Sequence, residues 1–302
     1  LEKARTEGKP IFLSIGYASC HWCHVMEEES FENEEIGAFL NKHFVAIKID
    51  REERPDLDEQ FMLVTQTVTG AGGWPNSVFL TSEAQPFYGG TYYPPEVFLS
   101  VLEQLSALWR EDRAGIEENA QALGDVVREY LGRKAAAYPL TAEIAAQLAQ
   151  QSMATMDEFN GGFGVAPKFP QESSLLFLLD QAERSSNRPL LEAVQMAAVG
   201  MVNGGLHDQV GGGFHRYAVD NEWAVPHFEK MLYNQALIGR VLVRLDELEP
   251  NPDFARAAQR TFDYVMRDMA APNGGFYAAE DADSLTPDGV LEEGVFYVWT
   301  HE

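Results

Sequence analysis

The two cysteines of this 302-residue chain, Cys20 and Cys23, follow directly on the apolar run IFLSIG at 11–16, and that placement constrains the fold more than any other feature. A β-branched and aromatic run of this length predicts a buried strand, and the stretch from Cys20 to about Glu29 predicts a helix. A C-x-x-C pair at a strand-to-helix junction offers the first sulfur free backbone N–H groups and the positive end of the helix dipole, both of which favour thiolate. Cys20 is therefore expected at an exposed helix start as the attacking nucleophile. Cys23, nearly one turn later, is expected to resolve the mixed disulfide. A protonated His21 would favour the thiolate further, and the exchange needs no cofactor.

Three other readings use the same residues. Cys20-His21-Trp22-Cys23-His24 is also the attachment pattern of a c-type haem, with His24 as axial ligand; the buried strand upstream and the Trp74-Pro75 element downstream argue against it. Zinc would need adjacent residues of one helical turn to converge, and no second C-x-x-C completes a tetrahedral set, so no metal is expected. The bland alternative is a pair of packed thiols without function.

Apolar runs at 44–49, 77–81 and 86–92 read as further strands with helical patterns between them. A strand, a helix and a strand suggest a parallel unit, and the two later, closely spaced strands suggest an antiparallel pair. Pro55 suits the first turn of a helix. The segment REERPDLDE at 51–59 reads as a solvated charge cluster, and His43 as the border of the strand that follows. Pro75 stands at the entrance of the third strand, where an X-Pro bond can be cis.

From Pro94 the apolar spacing turns helical and stays so. The expected organisation is an α/β domain over 1–133 and an all-α domain over 134–302, with helices near 141–159, 173–186, 189–203, 228–248 and 253–270 and N-caps at Thr141 and Ser173. Between these helices a Gly-Gly-Phe element recurs, in FNGGFGVAPKFP, VGGGFHRYAVD and PNGGFYAAEDAD. Its spacing is that of a helix hairpin plus a loop, and stacked hairpins build solenoids or toroids. The chain opens in what reads as a helix and stops in VFYVWTHE, which reads as a strand, so a segment of a longer protein is expected.

Composition excludes several classes. With 22 basic and 47 acidic residues the net charge is −25, which opposes approach to nucleic acid and anionic membranes. No apolar run is long enough to span a bilayer. Two cysteines at C-x-x-C spacing, without a disulfide framework, suggest chemistry in a reducing compartment such as the cytoplasm.

Four stretches together resemble one family closely: KPIFLSIGYASCHWCHVMEEESF, HFVAIKIDREERPDLDEQFM, GGWPNSVFLTSEAQPFYGGTYYPP and GGLHDQVGGGFHRYAVDNEWAVPHFEKMLYNQA. The chain is similar to the thioredoxin-domain proteins of the spermatogenesis-associated protein 20 or YyaL type. The resemblance implies a thioredoxin-like domain followed by part of an (α/α)6 toroid of the six-hairpin glycosidase type. It puts Cys20 and Cys23 in the place of the redox pair and Pro75 in that of the cis-proline. His21, Trp22, His24 and Trp74 become tuning or substrate-positioning residues. One departure matters: thioredoxins carry a buried Asp six residues before the first cysteine, where this chain has Ser14, so proton transfer falls to His24, a nearby Glu or water.

The helical half holds a second candidate site, in 214–236. His215, Arg216, Tyr217, Asp220, Glu222, Trp223, His227 and Glu229 bring rings, charge and hydrogen-bonding groups into one short span, and Glu280, Asp281 and Asp283 stand on the next Gly-Gly-Phe loop. Aromatic faces stack on sugar rings, and paired carboxylates can flank a glycosidic bond. The competing reading is that these groups knit adjacent hairpins together. The expected activity is thiol–disulfide exchange with a protein or small-molecule thiol or disulfide; the alternative is a carbohydrate-active enzyme or sugar-binding protein with an accessory thioredoxin-like domain.

Overall fold

The computed structural model describes residues 1–134, 139 and 141–299, and the chain divides into two units, 1–137 and 138–302. The sequence pattern put the boundary at 133/134, at the end of the last helix of the first unit.

That unit runs α1 (Glu2–Glu7), β1 (Ile11–Gly16), α2 (His21–Met26), a π-helical turn (Glu27–Phe31), α3 (Glu34–His43), β2 (Val45–Asp50), α4 (Pro55–Thr69), β3 (Asn76–Leu80), β4 (Pro86–Gly90), α5 (Pro95–Glu111) and α6 (Arg113–Gly132). The sheet order is β2-β1-β3-β4, with β1 and β2 parallel and β3 and β4 antiparallel to their neighbours. This is the thioredoxin-like arrangement. Every residue of β1 is buried, because side chains alternate between two covered faces. Phe12 packs on one face with Met26, Phe79, Phe98 and Leu102, and Ile11, Leu13 and Ile15 pack on the other with Phe61, Val64 and Val78. Each such burial contributes about 1.5–3 kcal/mol. Pro55 takes the first position of α4, as its missing N–H allows.

The described helices of the second unit are α7 (Ala142–Met153), α8 (Glu172–Ser185), α9 (Arg188–Asn203), α10 (Leu232–Leu248) and α11 (Pro252–Tyr264), the last running into a π-helical turn at Val265–Met269, and short two- and three-residue strands pair in the loops between and after them. Leu175, Leu178 and Leu179 of α8, Val194, Ala197 and Met201 of α9, Ile238, Val241 and Leu245 of α10, and Phe254 of α11 share one core. It is an array of packed helical hairpins, α8 against α9 and α10 against α11.

The Gly-Gly-Phe elements are equivalent turns. Short bridges close them at Met156 with Phe163, His207 with Phe214 and Ala270 with Phe276. Gly162 and Gly213 have φ near +82° and +81°, and a Cβ at either would lie 2.5 Å from Trp223 or 2.6 Å from Tyr264, so both conformation and space demand glycine. In the third loop the equivalent residue, Gly275, is not among the positive-φ glycines, and a Cβ there would meet only the Asn273 side chain at 3.4 Å. Phe276 is half exposed, whereas Phe163 and Phe214 are buried.

Three sequence expectations are corrected. α8 is entered from Gln171 in the left-handed region, and Ser173 lies inside the helix. Residues 228–231 are not helical, because Lys230–Met231 pairs with Ala279–Glu280 and thereby delays α10 to Leu232. The terminal VFYVW is a turn running into irregular chain, since the preceding strand, Leu291–Glu293, ends at Gly294 with positive φ.

Candidate active site at Cys20 and Cys23

Cys20 is the N-cap of α2 and is joined to Cys23 by a disulfide. Its Sγ accepts the Cys23 N–H at 3.2 Å, which satisfies one of the amide donors that a helix start leaves without a partner. The expectation of an exposed Cys20 is corrected: the residue is 3% exposed. The bond to Cys23 and the N–H contact fold its side chain back over the first turn of α2, and Ser19 beside it is buried as well. Cys23 is half-buried and lines a cavity of about 430 Å³ with Ser14, Gly16, His24, Glu27 and Lys48. Gly16 passes so close that a Cβ there would lie 2.7 Å from the Cys23 Sγ.

The predicted neighbours occupy separate surfaces. Trp22 is 47% exposed and packs on Tyr92 at 5.0 Å, and His21 meets the edge of Trp22 at 5.5 Å. The Tyr92 hydroxyl donates to Glu29, and this bond to a carboxylate raises its pKa to about 12. His24 places Nε2 2.8 Å from the Ala18 carbonyl, which engages a ring nitrogen that an axial haem ligand would need. Trp74 joins Pro75 by a cis peptide bond, and Pro75 is buried.

Sequence reasoning missed what holds Trp74. Its indole N–H donates to Asp58 at 2.7 Å, the Arg51 guanidinium lies 4.1 Å from the indole centre, and Tyr17 meets the indole edge-on at 5.9 Å. Arg51 also stands 3.8 Å from Asp58. Both charged residues belong to the segment read as a solvated cluster, and Asp58 is buried. A signal was present: Asp58, Phe61 and Thr65 follow one another at helical spacing, which puts the carboxylate on the buried face of α4.

In the helical unit the predicted residues come together in part. Arg216 pairs with the fully buried Glu229 at 2.7 Å, and Glu229 lies 3.7 Å from His227 Nε2. Tyr217 stacks on His227 at 4.8 Å and meets Phe169 at a tilt, 4.7 Å between ring centres. His227 Nδ1 meets Glu293 at 2.7 Å, a partner that no periodic signal announces, since it lies 66 positions away. His215 Nδ1 lies 2.9 Å from the Phe228 carbonyl; burial, reinforced by the charge of Lys230, pushes its pKa down to about 3, so the ring is neutral. Asp281 accepts the Asp283 N–H at 3.0 Å, and both are half-buried. Trp223 is buried in the core, Asp220 accepts three loop N–H groups, and Glu222 stands exposed on that loop, apart from the cluster. Beside them lies a cavity of about 610 Å³ lined by Lys230, Tyr264, Tyr277, Glu280, Phe296 and Tyr297. The hydroxyls of Tyr264 and Tyr297 both donate to Glu280.

Residues 1–128 match the family profile Thioredox_DsbH, described as "Protein of unknown function, DUF255". Human spermatogenesis-associated protein 20 is 43% identical over 320 aligned positions, which cover 99% of this chain and 40% of that protein. Among solved structures, a DsbH oxidoreductase is similar over 35% of this chain and 78% of its own, at 21% identity and a TM-score of 0.29. A cellobiose 2-epimerase from Spirochaeta thermophila is similar over 47% of this chain and 42% of its own, at 21% identity and a TM-score of 0.39. Residues 1–128 of the first unit thus match the DUF255 thioredoxin-like family model, and the chain as a whole is similar to the spermatogenesis-associated protein 20 relatives, of whose length it spans about two fifths.

Proposed function

We propose that the first unit is a thiol–disulfide exchange centre in which Cys20 and Cys23 cycle between dithiol and disulfide. The observation that carries this reading is the bonded pair at the start of α2, with an amide N–H directed at the Cys20 sulfur and Cys23 opening onto a cavity. Once the bond is reduced, the same N–H stabilises a thiolate on Cys20. That thiolate attacks a partner disulfide and releases one partner thiolate. Cys23 then attacks Cys20, releases the second partner thiolate and restores the disulfide, so two electrons pass to the partner and no cofactor enters. The partner is a protein or small-molecule disulfide, and a reducing compartment such as the cytoplasm would keep the pair in its dithiol form.

Insulin reduction and glutathione exchange with wild type, Cys20→Ser, Cys23→Ser and the double variant test this. Wild type should be faster than all three, and Cys23→Ser should accumulate a mixed disulfide on Cys20. Wild type no faster than the double variant rejects the reading.

A second reading concerns the helical unit. Its cavity combines the rings of Tyr264, Tyr277, Tyr297 and Phe296 with the Glu280 carboxylate, the combination that stacks and hydrogen-bonds a sugar. Sugar-dependent thermal stabilisation that disappears in Tyr277→Ala, a half-exposed ring, would support it; no stabilisation by any mono- or disaccharide would reject it.

A further inference from the structure

The exchange proposed above requires Cys23 to lose a proton before it attacks Cys20, and β1 offers no carboxylate for this: Ser14 stands there, buried, between Lys48 of β2 and Ser77 of β3. The surroundings of Cys23 supply one from another direction. The Glu27 N–H bonds back to the Cys23 carbonyl, so the two residues lie one helical turn apart, and both line the same cavity. Lys48, rising from the strand position beside Ser14, reaches across and pairs with the Glu27 carboxylate at 2.5 Å. A space of about 430 Å³ has room for water between carboxylate and sulfur.

The other titratable groups facing this cavity are Tyr17, His24, Asp50 and Glu53. His24 directs Nε2 to the Ala18 carbonyl, and Asp50 accepts the Glu52 N–H at 2.7 Å in the turn that carries Glu53 beyond β2. Among the carboxylates lining this cavity, Glu27 is the one that caps the helix carrying Cys23.

We propose that Glu27, with Lys48 as its positioning residue, is the proton acceptor for Cys23. The deepening rests on the exchange reading. The Cys23 thiol passes its proton through water to the Glu27 carboxylate. The resulting thiolate attacks the Cys20 sulfur, the mixed disulfide breaks, and the electron pair leaves on the partner sulfur. Glu27 returns the proton to solvent or to the departing thiolate. Lys48 holds the carboxylate in place beside the cavity through their ion pair.

Single-turnover reaction of the full reduced chain with dithiobis(nitrobenzoate) separates the two steps. The first chromophore is released by Cys20 attack and the second by Cys23 resolution. Glu27 is 44% exposed at its side chain, so Glu27→Gln should fold. The variant is expected to leave the first phase unchanged, slow the second about tenfold near neutral pH, and converge with wild type at alkaline pH, where hydroxide removes the proton. Glu27→Asp should recover most of the rate. A second phase unchanged in Glu27→Gln, or slowed by one constant factor at every pH, overturns the assignment, as does His24→Gln producing the pH-dependent loss instead. A wild-type chain that releases no second chromophore overturns the exchange reading itself and is distinguished by that fact.

Discussion

The Trp74 indole N–H donates to the Asp58 carboxylate at 2.7 Å, tying the residue before Pro75 to the buried face of α4. Arg51 closes the arrangement by lying over the indole at 4.1 Å and beside Asp58 at 3.8 Å. A carboxylate in this position does two things: it fixes the ring, and it keeps the guanidinium over the ring face, where cation and quadrupole attract. Asp58→Ala removes both functions. It should cost about 1–3 kcal/mol of stability in chemical denaturation and lower the rate of disulfide exchange severalfold. Asp58→Asn, whose amide oxygen still accepts from the indole, should cost less than half as much.

Gly16 is set by proximity to the redox pair. A Cβ at this position would stand 2.7 Å from the Cys23 Sγ, on the last residue of a central strand, which is held by its pairing with Asp50 of β2. Gly16→Ala should therefore destabilise the oxidised chain by about 1–3 kcal/mol, the usual cost of forcing an extra methyl against a fixed neighbour. Thermal unfolding of the oxidised variant against wild type checks this, and an unchanged midpoint would show that Cys23 moves aside freely.

Two buried lysines repeat with the hairpins. Lys168 bonds Asp157 at 2.7 Å beneath the first Gly-Gly-Phe loop and Lys230 bonds Asp208 at 2.8 Å beneath the second, each over an aromatic ring, Trp223 or Tyr264. The bond to Lys168 holds the Asp157 carboxyl well below its ordinary range. Burial opposes ionisation of Asp208, but the bond and charge of Lys230 and the loop N–H groups outweigh it and lower its pKa too. Removing one partner strands a charge away from water. Asp208→Asn should cost about 3–5 kcal/mol, Asp157→Asn less because that carboxylate is the more exposed, and the pair Asp208→Asn with Lys230→Met should recover part of the loss. Denaturation midpoints of the three variants decide it.

What could be read in the sequence was what repeats locally. The strand before Cys20, the helical second half and the Gly-Gly-Phe loops all follow from periodicity and from residues with special backbone freedom. Three features could not be read that way. Asp58 sits among Arg51, Glu52, Glu53, Arg54 and Asp56, whose average character is that of solvent-facing chain, and only its register on α4 sets it apart. Glu293 reaches His227 through a strand pair, Asp283 with Glu293, that no local pattern announces. Cys20 is covered because its sulfur turns back on α2, a side-chain direction that spacing alone does not encode.

The helical unit should lose stability in mild acid, and His215 is the main reason. Burial comes first in lowering its pKa to about 3, with the Lys230 charge second, whereas the unfolded chain would titrate near 6.5. The unfolded state therefore binds the proton first. The stabilising effect of keeping this ring neutral is complete above about pH 6.5 and declines as pH falls through that value, by about 1.4 kcal/mol per pH unit once well below it. His207, lowered chiefly by burial, acts in the same direction, while Glu172, raised by burial, acts in the opposite one. Asp157 and Asp208, both lowered from 3.8, contribute their losses at still lower pH. Between about pH 7 and 5.5 the histidines dominate, and wild type should lose about 1 kcal/mol or somewhat more. His215→Gln should be less stable at neutral pH yet show a visibly shallower decline over that interval, because its amide has no proton to take up. Urea midpoints of both chains at the two pH values measure the slope, and equal slopes would assign the acid sensitivity to other groups.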